Sequence, residues 1–352
     1  MNTSPTGSPV ADLARLWSAE PGFLNTASFG LPPAPAWDAL QRAQDDWRAG
    51  RVSWEGWAES TELARASYAR IIGVDVADVA VGSQVSQMLA PVADAVPDGG
   101  VVLVPEREFT SAVFPFAVQG DRGVTVRTAP LEQLAEQIDA GVDVVSFSLV
   151  QSLDGRIADY AAIVAAARAA GARVVVDATQ ACGWLPFDGA LADVVVAGAY
   201  KWMMSPRGTG FAYLAPDLRE RLRPSQAGWF AAEDVHGGYY GLPLRLAKDA
   251  RAFDVSPVWH SWVGTAPALE LIEQIGVAHI QAHDVALANR FLAGLGLPPR
   301  DSAIVTVDVP DAERKLAAAG IRAAVRGGRV RAAFHVYTTQ ADVDAAVAAL
   351  LS

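Results

Sequence analysis

Lysine is scarce in this chain. Lys201, Lys248 and Lys315 are the only three among 28 Lys+Arg residues. Any reaction that needs a lysine amine therefore has three candidates. Lys248 (LRLAKDARAF) and Lys315 (DAERKLAAAG) stand in charged contexts. Lys201 closes an apolar run, DVVVAGAYK, and Asp177 closes another, RVVVDATQ, one strand-and-connection step earlier. An aspartate and a lysine at neighbouring strand ends suit pyridoxal phosphate chemistry. The amine forms a Schiff base with the cofactor aldehyde, and the carboxylate keeps the pyridine nitrogen protonated, so the ring accepts electrons. An apolar site lowers a lysine's pKa and favours the nucleophilic amine. The plainer alternative is a structural ion pair between adjacent strands.

A cofactor phosphate needs backbone N–H groups at a helix start. The stretch VGSQVSQMLAPVADAV offers Gly82-Ser83-Gln84 between a strand end and a helix; an ordinary serine cap is the alternative. Two other chemistries find little support. His279 and His283 (AHIQAHD) have i,i+4 spacing but lack the glutamate a zinc protease places after the first histidine. No metal site is expected there. Cys182 is the single cysteine, so no internal disulfide or cysteine cluster can form. It reads as a small buried residue.

These residues must be positioned by a sheet. Runs at 76–82, 101–106, 124–129, 143–150, 173–179, 193–199 and 209–214 are short and apolar, and several are almost wholly Val. Strands without polar alternation are buried on both faces, as in a parallel sheet. Alanine-rich helices such as YAAIVAAARAAG fall between them. The alternation predicts an α/β fold with a three-layer sandwich, whose ligands gather at the carboxyl ends of the strands. After a Trp- and Tyr-rich region over 224–262, a long helix is expected over about 266–293. A compact α+β unit follows. The expected division is an N-terminal segment over 1–24, a large domain over 25–243, and a linker helix with a small domain over 244–352.

The chain has 352 residues, 51% of them hydrophobic and 19% charged. About two domains fit that length. The net charge of −11 argues against general nucleic-acid binding, which needs a basic footprint. No Gly-rich nucleotide motif occurs. The N-terminus lacks the basic and apolar regions of a signal peptide, and no apolar run is long enough for a membrane helix. A cytoplasmic protein without membrane contact is expected.

The residues resemble the aminotransferase class V group of fold-type-I pyridoxal phosphate enzymes. That group includes cysteine desulfurases, kynureninases and isopenicillin N epimerase. The resemblance runs from FLNTASFGLPP to VRAAFHVYTTQADVD, and is most specific in VVVDATQACGWLPFD and AGAYKWMMSPRGTGFAYL. It implies a mostly parallel seven-stranded sheet in an α/β/α large domain, with a smaller C-terminal α+β domain. It implies that Lys201 is the Schiff-base lysine and that Asp177 pairs with the pyridine nitrogen. Gln180 then bonds the phenolic oxygen, and Ser83 and Gln84 form the phosphate loop. Tyr200 stands where cysteine desulfurases have His and resembles the Tyr-Lys pair of kynureninases. Phe109 takes the place of a ring stacked on the cofactor; a core aromatic is its alternative. SWVGTAPALEL resembles a segment whose threonine, Thr265, reaches a partner's phosphate across a homodimer. GRVRAAFHVYTT resembles a segment whose arginine, Arg331, grips the substrate carboxylate. Ala333 and Thr338 depart from that pattern. Asn25 and Ser28 are placed at the substrate entrance, and the cluster GWFAAEDVHGGYYGL at the rim of the site.

The implied activity is on an L-α-amino acid through external aldimine and quinonoid intermediates, with aminotransfer first. A β-eliminating C–S or C–C lyase, a kynureninase-like hydrolase and an epimerase remain open. So does a member that binds the cofactor without catalysis. Persulfide chemistry is not expected, because desulfurases use a cysteine in the second half of the chain.

Overall fold

The computed structural model describes residues 10–352. The first nine residues, on which part of the tail and leader readings rest, lie outside that range. All seven apolar runs become strands of one sheet: β1 (Val79–Gly82), β2 (Val101–Pro105), β3 (Thr125–Ala129), β4 (Val144–Ser148), β5 (Arg173–Asp177), β6 (Val194–Gly198) and β7 (Gly210–Leu214). Their order is β1-β7-β6-β5-β4-β2-β3. Five neighbours, β3, β2, β4, β5 and β6, run parallel. Strand β7 is antiparallel to both β6 and β1. Hence β1 points the same way as β6, and its carboxyl end shares the edge where β4, β5 and β6 end. Every residue of β4, β6 and β7 is buried, as a sheet covered on both faces requires.

Helices α1 (Ala34–Arg48), α2 (Trp54–Ile72), α3 (Val85–Asp94), α4 (Phe114–Ala117), α5 (Tyr160–Ala170) and α6 (Pro216–Arg219) accompany these strands. In α5 the sequence cues act together. Alanine dominates its body, the Asp159 carboxylate accepts from Ala162 N–H, and Gly171 closes it in the left-handed conformation.

The helix expected over 266–293 is two helices, α7 (Trp259–Ile275) and α8 (Val277–Gly294). The break is Gly276, whose φ of +85° no helix contains. Helix α7 also starts well before the expected position and carries Pro267 inside it. Burial of Trp262, Leu269 and Ile272 offsets the hydrogen bond that proline removes.

The C-terminal unit holds β8 (Ile304–Val307), α9 (Ala312–Ala318), β9 (Ala324–Arg326), β10 (Arg329–Ala333) and α10 (Gln340–Leu351). Its sheet is antiparallel in the order β8-β10-β9. Phe23 and Asn25 bridge to Arg322 and Ala333, so the chain's early segment is tied to this small sheet. A second apolar core gathers Leu24, Phe291, Leu316, Phe334 and Val343 around it. Among the described residues, no helix is long and apolar enough to cross a membrane.

Candidate active site

The carboxyl edge of the large sheet carries the residues singled out above. Asp177 is the last residue of β5, and Lys201 follows β6 by three positions. Ser83 and Gln84 join β1 to α3. Together with Phe109, Gln180 and Tyr200 they line one cavity of about 410 Å³. The early segment crosses above it. Gly30 N–H donates to Tyr200 O, and a Cβ on Gly30 would stand 2.0 Å from Lys201 O. Only glycine permits that approach.

Lys201 is 5% exposed. Among the described residues, its Nζ makes no ion pair. The nearest ring centroids are Phe109 at 5.5 Å and Tyr200 at 5.6 Å. Burial lowers its pKa to about 8; Asp177 opposes the shift, and Arg331, Arg207 and Arg326 add to it. Asp177 is equally buried, and burial raises its carboxyl. The Thr179 N–H bond to its Oδ1, at 2.8 Å, works the other way.

Arg331 is 1% exposed and, among the described residues, has no carboxylate partner. Its Nη1 donates to Ser152 O and Oγ, and its Nη2 to Ser28 Oγ at 3.0 Å. The Ser28 hydroxyl in turn donates a hydrogen bond to Asn25 Oδ1 at 2.7 Å. Asn25, Ser28 and Arg331 thus meet, and Ser152 links them to the cavity it lines. The Arg331 Nε is buried without a partner. Burial lowers this guanidinium to about 10, and Arg326 adds to the shift. An unpaired buried arginine is costly, so the arrangement calls for an anion.

Gln180 lines the cavity, but its amide is already engaged. Its Nε2 donates to Ala27 O and Ser152 Oγ, and its Oε1 accepts from Trp202 Nε1. Thr265, read for a partner's phosphate, does not line this chain's own cavity. It sits within α7, fully buried, and its hydroxyl donates to the carbonyl of Ser261 four residues back at 2.8 Å. The aromatic cluster is likewise elsewhere. Trp229, Tyr239 and Tyr240 line a separate open cavity with Trp54 and Trp259, because Trp54 of α2 packs edge-on against Trp229 at 5.1 Å. His279 bonds Ile275 O of the preceding helix, and among the described residues no three His, Cys, Asp or Glu side chains cluster as metal ligands. Cys182 is buried, and burial raises its thiol well above the ordinary value.

Several participants carry no sequence signal. Ser152 accepts from both Gln180 and Arg331, so its own proton is free for an acceptor in the cavity. Arg207 lines the cavity and stacks 4.3 Å over the Tyr200 ring. The Glu108 carboxylate receives Ser148 Oγ–H, Ser148 N–H, Phe109 N–H and the Gln151 amide, which anchors the Phe109 loop to the end of β4. Buried His335 joins Asp284, at 2.9 Å, to the carbonyl of Trp202 beside Lys201, at 3.0 Å. Buried Asp254 accepts from Arg65 and from Val81 N–H, tying α2 to the strand that leads into Ser83.

Known proteins resemble this chain along most of its length. An uncharacterized aminotransferase of Bacillus subtilis, YcbU, is 30% identical over 71% of this chain and 68% of its own length. The isopenicillin N epimerase of Streptomyces clavuligerus is 30% identical over 65% of this chain and 64% of its own. The fold matches an apo cysteine desulfurase from Thermococcus onnurineus NA1, with a TM-score of 0.84 and 21% identity over 98% of both chains. Residues 56–318 match the family model described as aminotransferase class V. With relatives of that kind along most of its length, this chain belongs to the aminotransferase class-V family of pyridoxal phosphate enzymes.

Proposed function

We propose that this chain binds pyridoxal phosphate through Lys201 and acts on an L-α-amino acid by aminotransfer. The observation that carries the reading is Lys201 itself: a buried amine, without an ion pair among the described residues, its pKa lowered to about 8, in one cavity with Asp177. The surrounding groups fit the cofactor's chemistry. Ser83, Gln84 and the N-terminus of α3 suit its phosphate, and Arg207 adds positive charge beside Tyr200. Asp177 would hold a protonated pyridine nitrogen, and the Phe109 ring would cover one face. The free proton of Ser152 and the unpartnered Nε of Arg331 are donors that await acceptors. Bound there, the cofactor supplies a sink for the electron pair left when a substrate carbon loses its proton.

The chain's own residues then do the following work. Arg331 takes the substrate carboxylate through parallel hydrogen bonds. Ser28 and Ser152 fix the plane of its guanidinium. Lys201 Nζ, displaced by the substrate amine, is the base that accepts the α-proton. Returning that proton to a different carbon leads to aminotransfer; delivery of a proton to the opposite face of the same carbon gives epimerisation. The buried thiol of Cys182 argues against a persulfide route. A homodimer belongs to the same proposal, supported by the exposed aromatic residues Trp37, Trp47 and Phe114.

The test is to add pyridoxal phosphate and then a panel of L-amino acids, following visible absorption and the product. The expected result is a cofactor band that bleaches as amino acids deliver their nitrogen, with release of the 2-oxo acid. Ammonia released along with the 2-oxo acid, the cofactor band being regained, would replace aminotransfer with elimination. No band in the wild-type chain would overturn the reading altogether.

A further inference from the structure

The face of the small sheet that holds Arg331 carries two more arginines. Strands β9 and β10 place Arg329 opposite Arg326, Val330 opposite Val325 and Arg331 opposite Ala324. Directly opposed residues share a face, and faces alternate along a strand. Arg326, Arg329 and Arg331 therefore stand on one face. The opposite face carries Val330 and Ala332, which join the small core. The arginine face also carries Ala333 and its partner Ile304, which join the main core. It is turned toward the large sheet.

The hairpin tip comes down onto the loops of the Lys201 cavity. Gly327 and Gly328 have φ of +55° and +78°, the conformation a tight two-residue turn demands. From the position of a Cβ on Gly327, Arg107 Nη2 is 3.3 Å away and Leu153 Cδ1 3.4 Å. Arg107 lies two residues before Phe109, and Leu153 follows Ser152; both Phe109 and Ser152 line the cavity. Like charges opposed across strands repel. Among the described residues, none of Arg107, Arg326 and Arg329 forms an ion pair. This occurs in a chain of net charge −11. Arg331 already accounts for one carboxylate, and Arg207 and the start of α3 for the phosphate. The hairpin arginines have no anion assigned to them.

We propose that the substrate carries a second anionic group on its side chain, a carboxylate or sulfonate, which Arg326 and Arg329 hold at the cavity mouth with Arg107 beside them. This rests on reading the site as one for an amino acid. The test uses the protein loaded with pyridoxal phosphate. L-Aspartate and L-cysteate are titrated against L-asparagine and L-alanine, following visible absorption and binding heat. The charged ligands should bind about tenfold more tightly or better, as charge-assisted hydrogen bonds allow. That preference should shrink at high salt, because these arginines are exposed. The double variant Arg326→Gln/Arg329→Gln should bring the ratio near one. A charge-matched control, Arg48→Gln/Arg314→Gln, should keep it. Amino acids that bind without charge preference, or a hairpin variant that keeps the preference, would overturn the inference alone. No response to any amino acid would overturn the reading of the site, and this inference with it.

Discussion

The lowered pKa of Lys201 makes a measurable difference to its reactivity. Its amine is brought from 10.5 to about 8, chiefly by burial. At pH 7 an amine of pKa about 8 is neutral roughly one time in ten; one at 10.5 is neutral about once in three thousand. Lys201 should therefore attack the aldehyde of pyridoxal phosphate roughly 300-fold faster than an exposed lysine of equal access. Lys248 is the internal reference, since Glu233 at 2.9 Å raises its pKa. The assay adds pyridoxal phosphate to the apo-protein from pH 6 to 11, traps attachment with borohydride, and counts modified peptides by mass. Attachment at Lys201 should climb to about pH 8 and level off, while Lys248 continues to climb. The same shift acts on stability. Between pH 8 and 10.5 the unfolded chain holds a proton that the folded one lacks, so apo-protein stability should rise with pH across that window. Below it the burial penalty is complete, about 3 kcal/mol for a shift of this size. Lys201→Met should recover much of that at pH 7 and little above pH 10.5. Parallel profiles for Lys201 and Lys248, with no pH-dependent gain in Lys201→Met, would refute the reasoning.

Two further outcomes follow from buried groups. Asp254→Ala should destabilise the chain by about 3–5 kcal/mol in denaturant unfolding, because it strands the buried Arg65 guanidinium. Glu62, which reaches Arg65 at 2.9 Å from a half-exposed position, should keep the loss near the lower figure; a loss under about 1 kcal/mol would mean the pair is not the tie described. Cys182→Ala should keep turnover with any accepted amino acid, since the thiol is buried and held protonated. Loss of turnover in a folded Cys182→Ala protein would reinstate cysteine chemistry.

The parts of this molecule that could be read from sequence are those with a local cause. An apolar run without polar alternation has one stable fate in a large domain, a strand covered on both faces; all seven runs became strands, and only β3, at the sheet edge, is left largely uncovered. Asp177 and Lys201 were legible for the same reason: each ends such a run, and the ends of parallel strands collect at one edge. Thr265 was read for a partner's phosphate, and one chain shows only its own side of that reading: a buried threonine within α7. There a threonine's hydroxyl turns back to its own helix. The residues with no signal depend on partners far along the chain. Arg65 meets Asp254 across 189 positions, and Ser152 meets Arg331 across 179. Nothing local to either partner announces the other. The hairpin arginines are an intermediate case. Their sequence, RGGRVR, is visible at once, and the two glycines announce a tight turn. Only the register decides that Arg326 and Arg329 oppose each other on the face of Arg331. A shift of one residue would turn those side chains toward the apolar core. Burying Val330 and Ala332 on the other face is what holds that register. The small core therefore also decides which charges share the face of Arg331, and a substitution there that loosened the register should weaken the proposed anion recognition without touching an arginine.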